Sequence, residues 1–426
     1  MNPRMVEVFL EVSGNPEPVG RLWFHGRGES TSFQYATSWL QAAYRFALDP
    51  DLPLPRQPLS RDVQHGIRLF GCFSDAGPDR WGRMLMQRAH PHTLTTADYL
   101  LGVDDGMRTG AFRFREPGGD FLAVPATIRI PPLTELPRLV AAAQRLEQGK
   151  GHPDDIRLLL RPGASMGGAH PKAVVADNEG ALWLAKFPGS LPEDRYRPHW
   201  EALATTLAQR SGLRVPEHRL LSLSPRVSVF LSRRFDRTAS GHRLHYASAM
   251  TLLGAAESET RSYEEIAERL REQGSPVQDV QELWRRIAFS VLIGNGDDHL
   301  RNHGILWSPE SGFRLAPAFD LNPQDPHSSR NDYRTALREN GPTRRTFQDV
   351  WDAAADFLVS EADARQAVRR MVETVNRWDR LAQQLGIPTH EALQHRASFQ
   401  NTNLQDALHL DTTGHRAKRG TKSKTS

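Results

Sequence analysis

Apolar and polar residues alternate through Val6-Glu-Val-Phe-Leu-Glu-Val12, and shorter apolar runs follow at Val19 to Phe24 and Ser32 to Trp39, separated by Gly, Pro and Asn. A period of two between turn residues predicts strands, so a small sheet opens the chain. In Pro78 to Arg88 the period changes, with Trp81, Leu85 and Arg88 spaced along one helical face behind a proline suited to a first turn. This helix is expected to pack on the opening sheet. A Pro-rich stretch from Pro125 to Pro137 leads into a helical pattern at Leu136 to Glu147, which Gly149-Lys-Gly151 closes. Between about 155 and 237 short strand patterns recur at Ile156 to Leu160, Lys172 to Ala176, Ala181 to Phe187 and Val227 to Leu231, with one helical run from His199 to Ser211. Strand, Gly turn, strand, helix and strand is the order of a small nucleotide-binding lobe.

After 245 the pattern is mostly helical. Ser262-Tyr-Glu-Glu265 forms a capping box, and Val277 to Ile293 and Val350 to Leu358 carry apolar residues at helical spacing. Ser360-Glu-Ala-Asp363 caps a long helix that Gly386 and Pro388 should close. A helical lobe therefore follows a mixed one, and no repeat of solenoid period is present.

Composition narrows the class. The 426 residues are 38% hydrophobic and 24% charged, with a mean hydropathy of -0.54, which describes a globular chain of several domains rather than a fibre or a disordered polymer. Apolar stretches such as Ile287 to Ile293 fall far short of a bilayer span, and Glu7 and Glu11 interrupt the amino-terminal region where a signal peptide needs an apolar run. A cytoplasmic protein without membrane contact is expected. The single cysteine, Cys72, can form no internal disulfide and reads as core filler. The net charge of +4 is misleading, because Arg416, Lys418, Arg419, Lys422 and Lys424 in the tail contribute +5 and leave the body near -1. The body therefore has no basic signature of direct nucleic-acid binding, and the tail reads as a solvated, disordered end.

Candidate chemistry concentrates in Gly294-Asn-Gly-Asp-Asp-His-Leu-Arg-Asn302, a loop of acids and amides directly after an apolar helix. Asp297 and Asn302 have the D-x-x-x-x-N spacing of a kinase catalytic loop, where the aspartate orients a hydroxyl proton and the asparagine holds magnesium. Phe319-Asp-Leu321 follows a strand-like Gly304 to Trp307 and a turn at Pro309 to Gly312, where such folds place a second magnesium aspartate, here Asp320. Upstream, Arg161 to Lys172 sets three glycines between strands, and glycine lets backbone N–H groups approach phosphate oxygens. Lys186 would lie beside those phosphates, with Glu201 on the next helix as its ion-pair partner.

Each of these residues also has a plain reading when taken alone. Asp297 and Asn302 can form an Asx turn, Lys186 can snorkel from a strand, Glu201 can be a solvated helix acid, and Ser165 can be a turn serine. His170 and His299 lack a second histidine at ligand spacing, and His299 reads as a structural loop histidine. Lys172 suits either a phosphate-facing strand start or an exposed strand surface.

Taken together, Ser165-Met-Gly-Gly-Ala-His-Pro-Lys172, Leu184-Ala-Lys186-Phe-Pro, Ser232-Arg-Arg-Phe-Asp-Arg237, Asn295-Gly-Asp-Asp-His-Leu-Arg-Asn302 and Pro317-Ala-Phe-Asp-Leu-Asn322 resemble the HipA family of toxin serine/threonine kinases. Gly77-Pro-Asp-Arg-Trp-Gly-Arg83 extends the resemblance to that family's amino-terminal subdomain. It implies an α/β (α+β) bilobal protein-kinase-like fold with a β-rich amino-terminal part and an all-helical carboxy-terminal lobe. The expected division is 1–125 for the β-rich subdomain, 126–238 for the smaller lobe with its Gly-rich loop, 239–411 for the helical lobe and 412–426 for the tail.

The resemblance further implies transfer of the γ-phosphoryl group of ATP, with Mg2+, to a protein serine or threonine. Asp297 matches the catalytic base, Asn302 and Asp320 the metal ligands, and Lys186 the phosphate-binding lysine. Ser165, Gly167, Gly168, Lys172, Arg233, Phe235 and His299 complete the ATP site. The backbone around Arg233 and Phe235 would hold adenine, and Ser165 aligns with a serine that family members autophosphorylate. A phosphate there would add about -1.5 to -2 charges to a loop built for phosphate and repel ATP. The implied partners are a small helix-turn-helix antitoxin of the HipB type, operator DNA reached only through it, and a protein substrate such as an aminoacyl-tRNA synthetase. A small-molecule phosphotransferase and a catalytically quiet co-repressor module remain alternatives. Two positions depart from the family pattern: Arg233 stands where an acid is common, and Arg301 where lysine is frequent.

Overall fold

The structure, a computed structural model of the chain, describes residues 3–26, 30–55, 64–67, 69–122, 130–160, 170–324 and 333–413. Its first sheet starts with β1 (Arg4–Val12) and β2 (Asn15–His25), joined by a tight turn in which Ser13 and Gly14 both adopt positive φ, 49° and 87°. That geometry matches the right-handed twist of a hairpin. Adding β3 (Ser30–Tyr35), β4 (Gln64–Ile67) and β5 (Phe112–Arg115) gives an antiparallel sheet of order β4-β3-β2-β1-β5. Alternation along β1 sends Val6, Val8 and Leu10 to a core shared with Phe33, Phe73, Phe112 and Phe114. Cys72 is buried in the same core. β3 is shorter than expected: it ends at Tyr35, and Thr37–Gln41 turns into a helix that buries Trp39 and Leu40.

The second sheet contains β6 (Lys172–Ala176), β7 (Leu182–Lys186), β8 (His218–Ser224) and β9 (Val227–Arg233), in the order β6-β7-β9-β8. Helices Leu136–Glu147 and Pro153–Leu160 cover one face. The second of these corrects the strand expected at Ile156 to Leu160. Pro153 and two acids occupy its first turn, favouring a helix start, and the Asp155 carboxylate pairs with Arg145 on the neighbouring helix. Helix Arg80–Ala89 also joins this layer, burying Trp81 and Leu85 with Leu139, Leu159, Trp183 and Val229. It thus packs on the second unit rather than on the opening sheet.

In the third unit helix Val277–Leu292 is buried along most of its length, surrounded by Tyr263, Phe347, Val368 and Met371. The capping box at Ser262 forms, with Ser262 Oγ accepting from the Glu265 amide and the Glu265 carboxylate accepting from the Ser262 amide. Against the expectation of an all-helical lobe, a three-stranded antiparallel sheet of β10 (His245–Ser248), β11 (Gly304–Ser308) and β12 (Gly312–Leu315) lies here. β11 matches the strand-like Gly304 to Trp307 of the sequence, whereas β10 and β12, four residues each, give too little alternation to be read from it. The long helix expected from Ser360 to Gly386 is two, Glu361–Val375 and Trp378–Gln384; the break at Asn376 and Arg377 accompanies Trp378 stacking on Phe399 at 4.6 Å. Likewise Val350 to Leu358 divides into helix Phe347–Asp352 and a 3-10 turn, Ala354–Phe357, closed by Leu358 at φ 60°. The basic residues beyond 413 lie outside the described residues, and no helix among the described residues is long and apolar enough to cross a membrane.

Candidate functional site

Strand alternation builds the cleft. Trp183 and Ala185 of β7 and Val229 and Leu231 of β9 face the helix-covered core, so Leu184, Lys186, Phe230 and Ser232 face the opposite way. With Thr205, Pro216, Phe235, Ala318 and Phe319 they line a cleft of about 530 Å³, counted to its open mouth, between the second sheet and the helical lobe. Its walls are largely apolar; Lys186, Glu201 and Asp320 gather at one place, while Arg233 and Arg234, which also line it, have their guanidinium groups engaged by Glu217 and by Asp236, a division suited to a ligand with a flat apolar end and an anionic end.

Lys186 Nζ lies 2.5 Å from Glu201 Oε1 and 2.7 Å from Asp320 Oδ1. Glu201 sits on helix Arg197–Arg210, which packs against β8 and β9 on one side and helices Glu361–Val375 and Trp378–Gln384 on the other. The helix is thereby fixed between both lobes. Burial works to lower the Lys186 pKa, but the two carboxylates outweigh it and push the ammonium above its ordinary range. Burial also favours the neutral form of Asp320, yet Lys186, with further help from Lys172 and His299, holds its carboxyl well below the usual carboxylate range. Glu201 is raised, because burial there exceeds the stabilisation from Lys186. The lysine is thus shared by a firmly ionised Asp320 and a more strained Glu201.

Asp320 adopts φ 58°, a left-handed conformation that costs a non-glycine residue energy. Asn322 compensates by donating to the Asp320 backbone carbonyl at 3.3 Å and to Oδ1 at 3.1 Å. The Asn322 amide in turn donates to Asn295 Oδ1 at 3.3 Å, and the Gln324 amide to the Gly294 carbonyl at 3.1 Å, tying this segment to the loop 294–302. Gly294 has φ 64°, and a Cβ there would stand 3.3 Å from the Ser398 backbone, so only glycine fits comfortably.

Within that loop, Asp297 presents an exposed carboxylate, 3.6 Å from Arg334 Nε, and its backbone carbonyl accepts from Asn302 Nδ2 at 3.1 Å. Asn302 is buried, and donation by its amide nitrogen leaves Oδ1 without a partner among the described residues. Asp298 points the other way, accepting from Tyr263 Oη at 2.5 Å and pairing with His303 Nε2 at 2.8 Å. Burial opposes its ionisation, but His303 and these hydrogen bonds lower its pKa to about 2. Asp298 is an anchor of the loop.

Other candidate residues fall in different surroundings. Lys172 is neither an exposed strand lysine nor open to the cleft: it is buried, with Nζ 2.5 Å from Asp79 Oδ2. Arg233 turns outward to Glu217 at 3.1 Å. The Arg233 and Arg234 amides donate to Glu217 and Leu182 carbonyls, whereas the Phe235 amide at the cleft has no partner among the described residues. The Phe235 ring stands 5.4 Å from that of Phe319. His299 begins the 3-10 turn Leu300–Asn302 and its carbonyl accepts from the Asn302 amide. His170 is lowered to about 4 by burial and by Arg197. Ser165, Gly167 and Gly168 lie outside the described residues.

Sequence reading missed Asn295 and Asn322 as supports, Thr205 and Pro216 as cleft walls, and the buried knot at Arg234. That guanidinium pairs with Asp236 and donates to the Met107 and Arg108 carbonyls, while Asp236 accepts from the Gly110 amide. The adjacent opposite charges of Arg234, Asp236 and Arg237 were the available signal.

A cation at Asp320 and Asn302 is consistent with their chemistry. Both offer oxygen, and Asp320 Oδ2 and Asn302 Oδ1 carry no hydrogen bond among the described residues. No three His, Cys, Asp or Glu side chains among the described residues form a metal cage. A cation would therefore complete its shell with water and ligand oxygens, the habit of magnesium.

Comparison with known proteins gives consistent matches. A family model described as "HipA-like C-terminal domain" matches residues 164–378, and one described as "HipA N-terminal domain" matches residues 10–107. A Sinorhizobium fredii protein named "Putative kinase Y4dM" is 31% identical over 163 residues, covering 35% of this chain and 39% of that protein. A Haemophilus influenzae protein named "Putative kinase" is 32% identical over 124 residues, covering 26% of this chain and 36% of that protein. The matched regions thus span well under half the length of either relative. The solved complex of Shewanella oneidensis HipA, HipB and operator DNA contains a chain of similar fold, with a TM-score of 0.66 at 18% identity over 94% of this chain and 96% of that one.

Proposed function

This chain belongs to the HipA family, and we propose that it is an ATP-dependent serine/threonine protein kinase acting as the toxin of a toxin-antitoxin pair. The observation that carries the reading is Lys186 held between Glu201 and Asp320 at the charged end of an apolar interlobe cleft. Adenine would occupy the end walled by Leu184, Thr205, Pro216 and Phe230, with the Phe235 amide as hydrogen-bond donor. Lys186 would then exchange part of its contact with Asp320 for phosphate oxygens.

Magnesium, held by Asp320 and Asn302, would offset the charge of the phosphates. Asp297 would accept and orient the proton of the acceptor hydroxyl. As that oxygen bonds to the γ-phosphorus, the bond from phosphorus to the β-bridging oxygen breaks and ADP leaves. Lys186 orients the phosphates throughout, and Asn302 fixes the Asp297 backbone. The exposed position of Asp297 suits a serine or threonine on a macromolecule better than a small acceptor enclosed by the fold.

A translation component such as an aminoacyl-tRNA synthetase is the proposed substrate, and phosphate on Ser165 of the Gly-rich loop the proposed means of self-silencing. The solved relative is named with HipB and operator DNA, so a small DNA-binding antitoxin is the partner proposed here, with DNA reached through it. Incubation with γ-labelled ATP, magnesium and cell extract tests the reading. Label on Ser165 and on an extract protein supports it. Label confined to a small metabolite would identify a small-molecule phosphotransferase, and absence of label a quiet co-repressor.

A further inference from the structure

The stretch Asp75-Ala-Gly-Pro-Asp79, which the proposed chemistry does not use, touches both lobes. Asp75 ends helix Gly71–Asp75, and its carboxylate accepts from the Ser248 amide at 2.7 Å and from Ser248 Oγ at 3.0 Å, where β10 passes into the helical lobe. The same carboxylate lies 3.6 Å from Arg301, a member of the loop that carries Asp297 and Asn302. Gly71 at the start of that helix is pressed so close to Thr251 that a Cβ would meet its Oγ1 at 2.7 Å. Four residues after Asp75, Asp79 caps helix Arg80–Ala89 through the Gly82 amide and pairs with Lys172. Lys172 is directly opposite Lys186 in the β6-β7 register, and Trp81 is buried in the core of the second sheet.

One end of the stretch is therefore anchored in the helical lobe and the other in the sheet lobe. The Asp79–Lys172 pair is buried on both sides, 6% and 3% exposed, whereas Asp75, itself 4% exposed, meets an Arg301 that is 34% exposed and also pairs with Glu257 at 3.0 Å, so its firmer hold on the helical lobe is the pair of bonds from Ser248. Between them, the Ala76 carbonyl accepts from the fully buried Arg108, which also holds the Leu100 and Val103 carbonyls, and Pro78 fixes one backbone torsion. This makes a stiff second crosspiece between the lobes, in addition to the chain's own crossing near Arg234.

We propose that residues 75–79 are an interlobe clasp, and that Asp75 and Asp79 are positioning residues for phosphoryl transfer, acting through Arg301 and Lys172 respectively. The role deepens the kinase reading and rests on it for its catalytic part. A clasp on both lobes sets how far the Lys186 side of the cleft stands from the Asp297 side, and rates of transfer depend steeply on that spacing.

The full chain, with Asp75→Asn, Asp79→Asn, Asp79→Glu and the milder Ser248→Ala, tests this by two measurements. Amide hydrogen exchange is followed over residues 172–176 and 294–302, and phosphoryl transfer to dephosphorylated casein is measured per nucleotide-binding site as a function of ATP. Asp79→Asn is expected to speed exchange in 294–302, in the lobe it does not touch, and to lower kcat about tenfold with KM for ATP little changed. Asp79→Glu should recover part of the loss, and Ser248→Ala, which keeps both carboxylates, should give a smaller effect of the same kind. Exchange changes confined to the lobe each residue touches, or an unaltered kcat per site, would overturn the clasp. If the unaltered chain transfers no phosphate to casein, to itself or to any protein of a cell extract while exchange still responds across the lobes, the clasp stands and the kinase reading falls.

Discussion

Asp297 and Asp298 are adjacent in the chain and opposed in the fold: the carboxylate of Asp297 is 50% exposed beside Arg334, while that of Asp298 is 4% exposed between Tyr263 and His303. The second fixes the loop from which the first projects. If Asp297 acts as proposed, two like residues divide between chemistry and support, and mutation should separate them.

Asp297→Asn should reduce phosphoryl transfer by about 10² to 10⁴, the usual share of a positioned base. Its stability should change by less than about 0.5 kcal/mol, because the side chain is exposed and its nearest cation, Arg334, is exposed too. Labelled-ATP assays and urea unfolding of the same preparation check both halves. Transfer at the unaltered rate would remove Asp297 from the mechanism.

Asp298→Ala should show the reverse emphasis, losing about 3 kcal/mol of stability by stranding His303 and Tyr263 in the interior. Because its folded pKa is lowered to about 2, from an ordinary 3.8, the carboxylate contributes stability above pH 4 that disappears as pH falls toward 2. The difference in unfolding free energy between the unaltered chain and Asp298→Asn should therefore shrink across that window. A difference constant with pH would contradict this.

Lys186→Met should abolish transfer and cost about 3 kcal/mol, since it leaves Glu201 and Asp320 buried without their cation. Adding Glu201→Gln removes one stranded carboxylate, so the double variant should be more stable than Lys186→Met alone while remaining inactive. Thermal midpoints of the single and double variants decide it, and additive losses would count against a shared network.

Chelation of magnesium should stop transfer without moving the thermal midpoint of the nucleotide-free protein, because Lys186 already neutralises Asp320 in the described structure. With ATP present, magnesium should raise the midpoint by mass action. A large loss of stability on chelation without nucleotide would indicate a structural metal instead.

His245 is buried against Phe46 and Phe112, and burial lowers its pKa to about 3 from 6.5. The unfolded chain takes up a proton below pH 6.5 that the folded chain refuses, so stability should decline as pH falls from 6.5 and the loss should level off below 3. His170 and His199, each lowered to about 4, act in the same sense. His245→Phe should flatten the decline between pH 6 and 4 by up to one proton's slope. An unchanged slope would exclude His245 as a contributor.

The sequence alone determined what its local patterns encode. Alternation fixed β1 and β7, a short apolar run marked β6, helical spacing fixed Leu136–Glu147 and Val277–Leu292, and the capping box at Ser262 appeared where Ser and Glu stood three apart. The residues Lys186, Glu201, Asp297, Asn302 and Asp320 could be singled out from their segments, but their phosphotransfer roles came only as what the resemblance of several motifs together implies. Local pattern failed where length or partner was missing. Ile156 to Leu160 is too short for its period to separate strand from helix, and Pro153 at the first turn with Asp155 paired across to Arg145 decided it. Only the tertiary structure decided that Asp298 turns inward, that Lys172 belongs to Asp79, and that residues 75–79 reach both lobes. Those are contacts between segments remote in the chain, set by which faces pack together, and a single sequence carries no record of distance across a core.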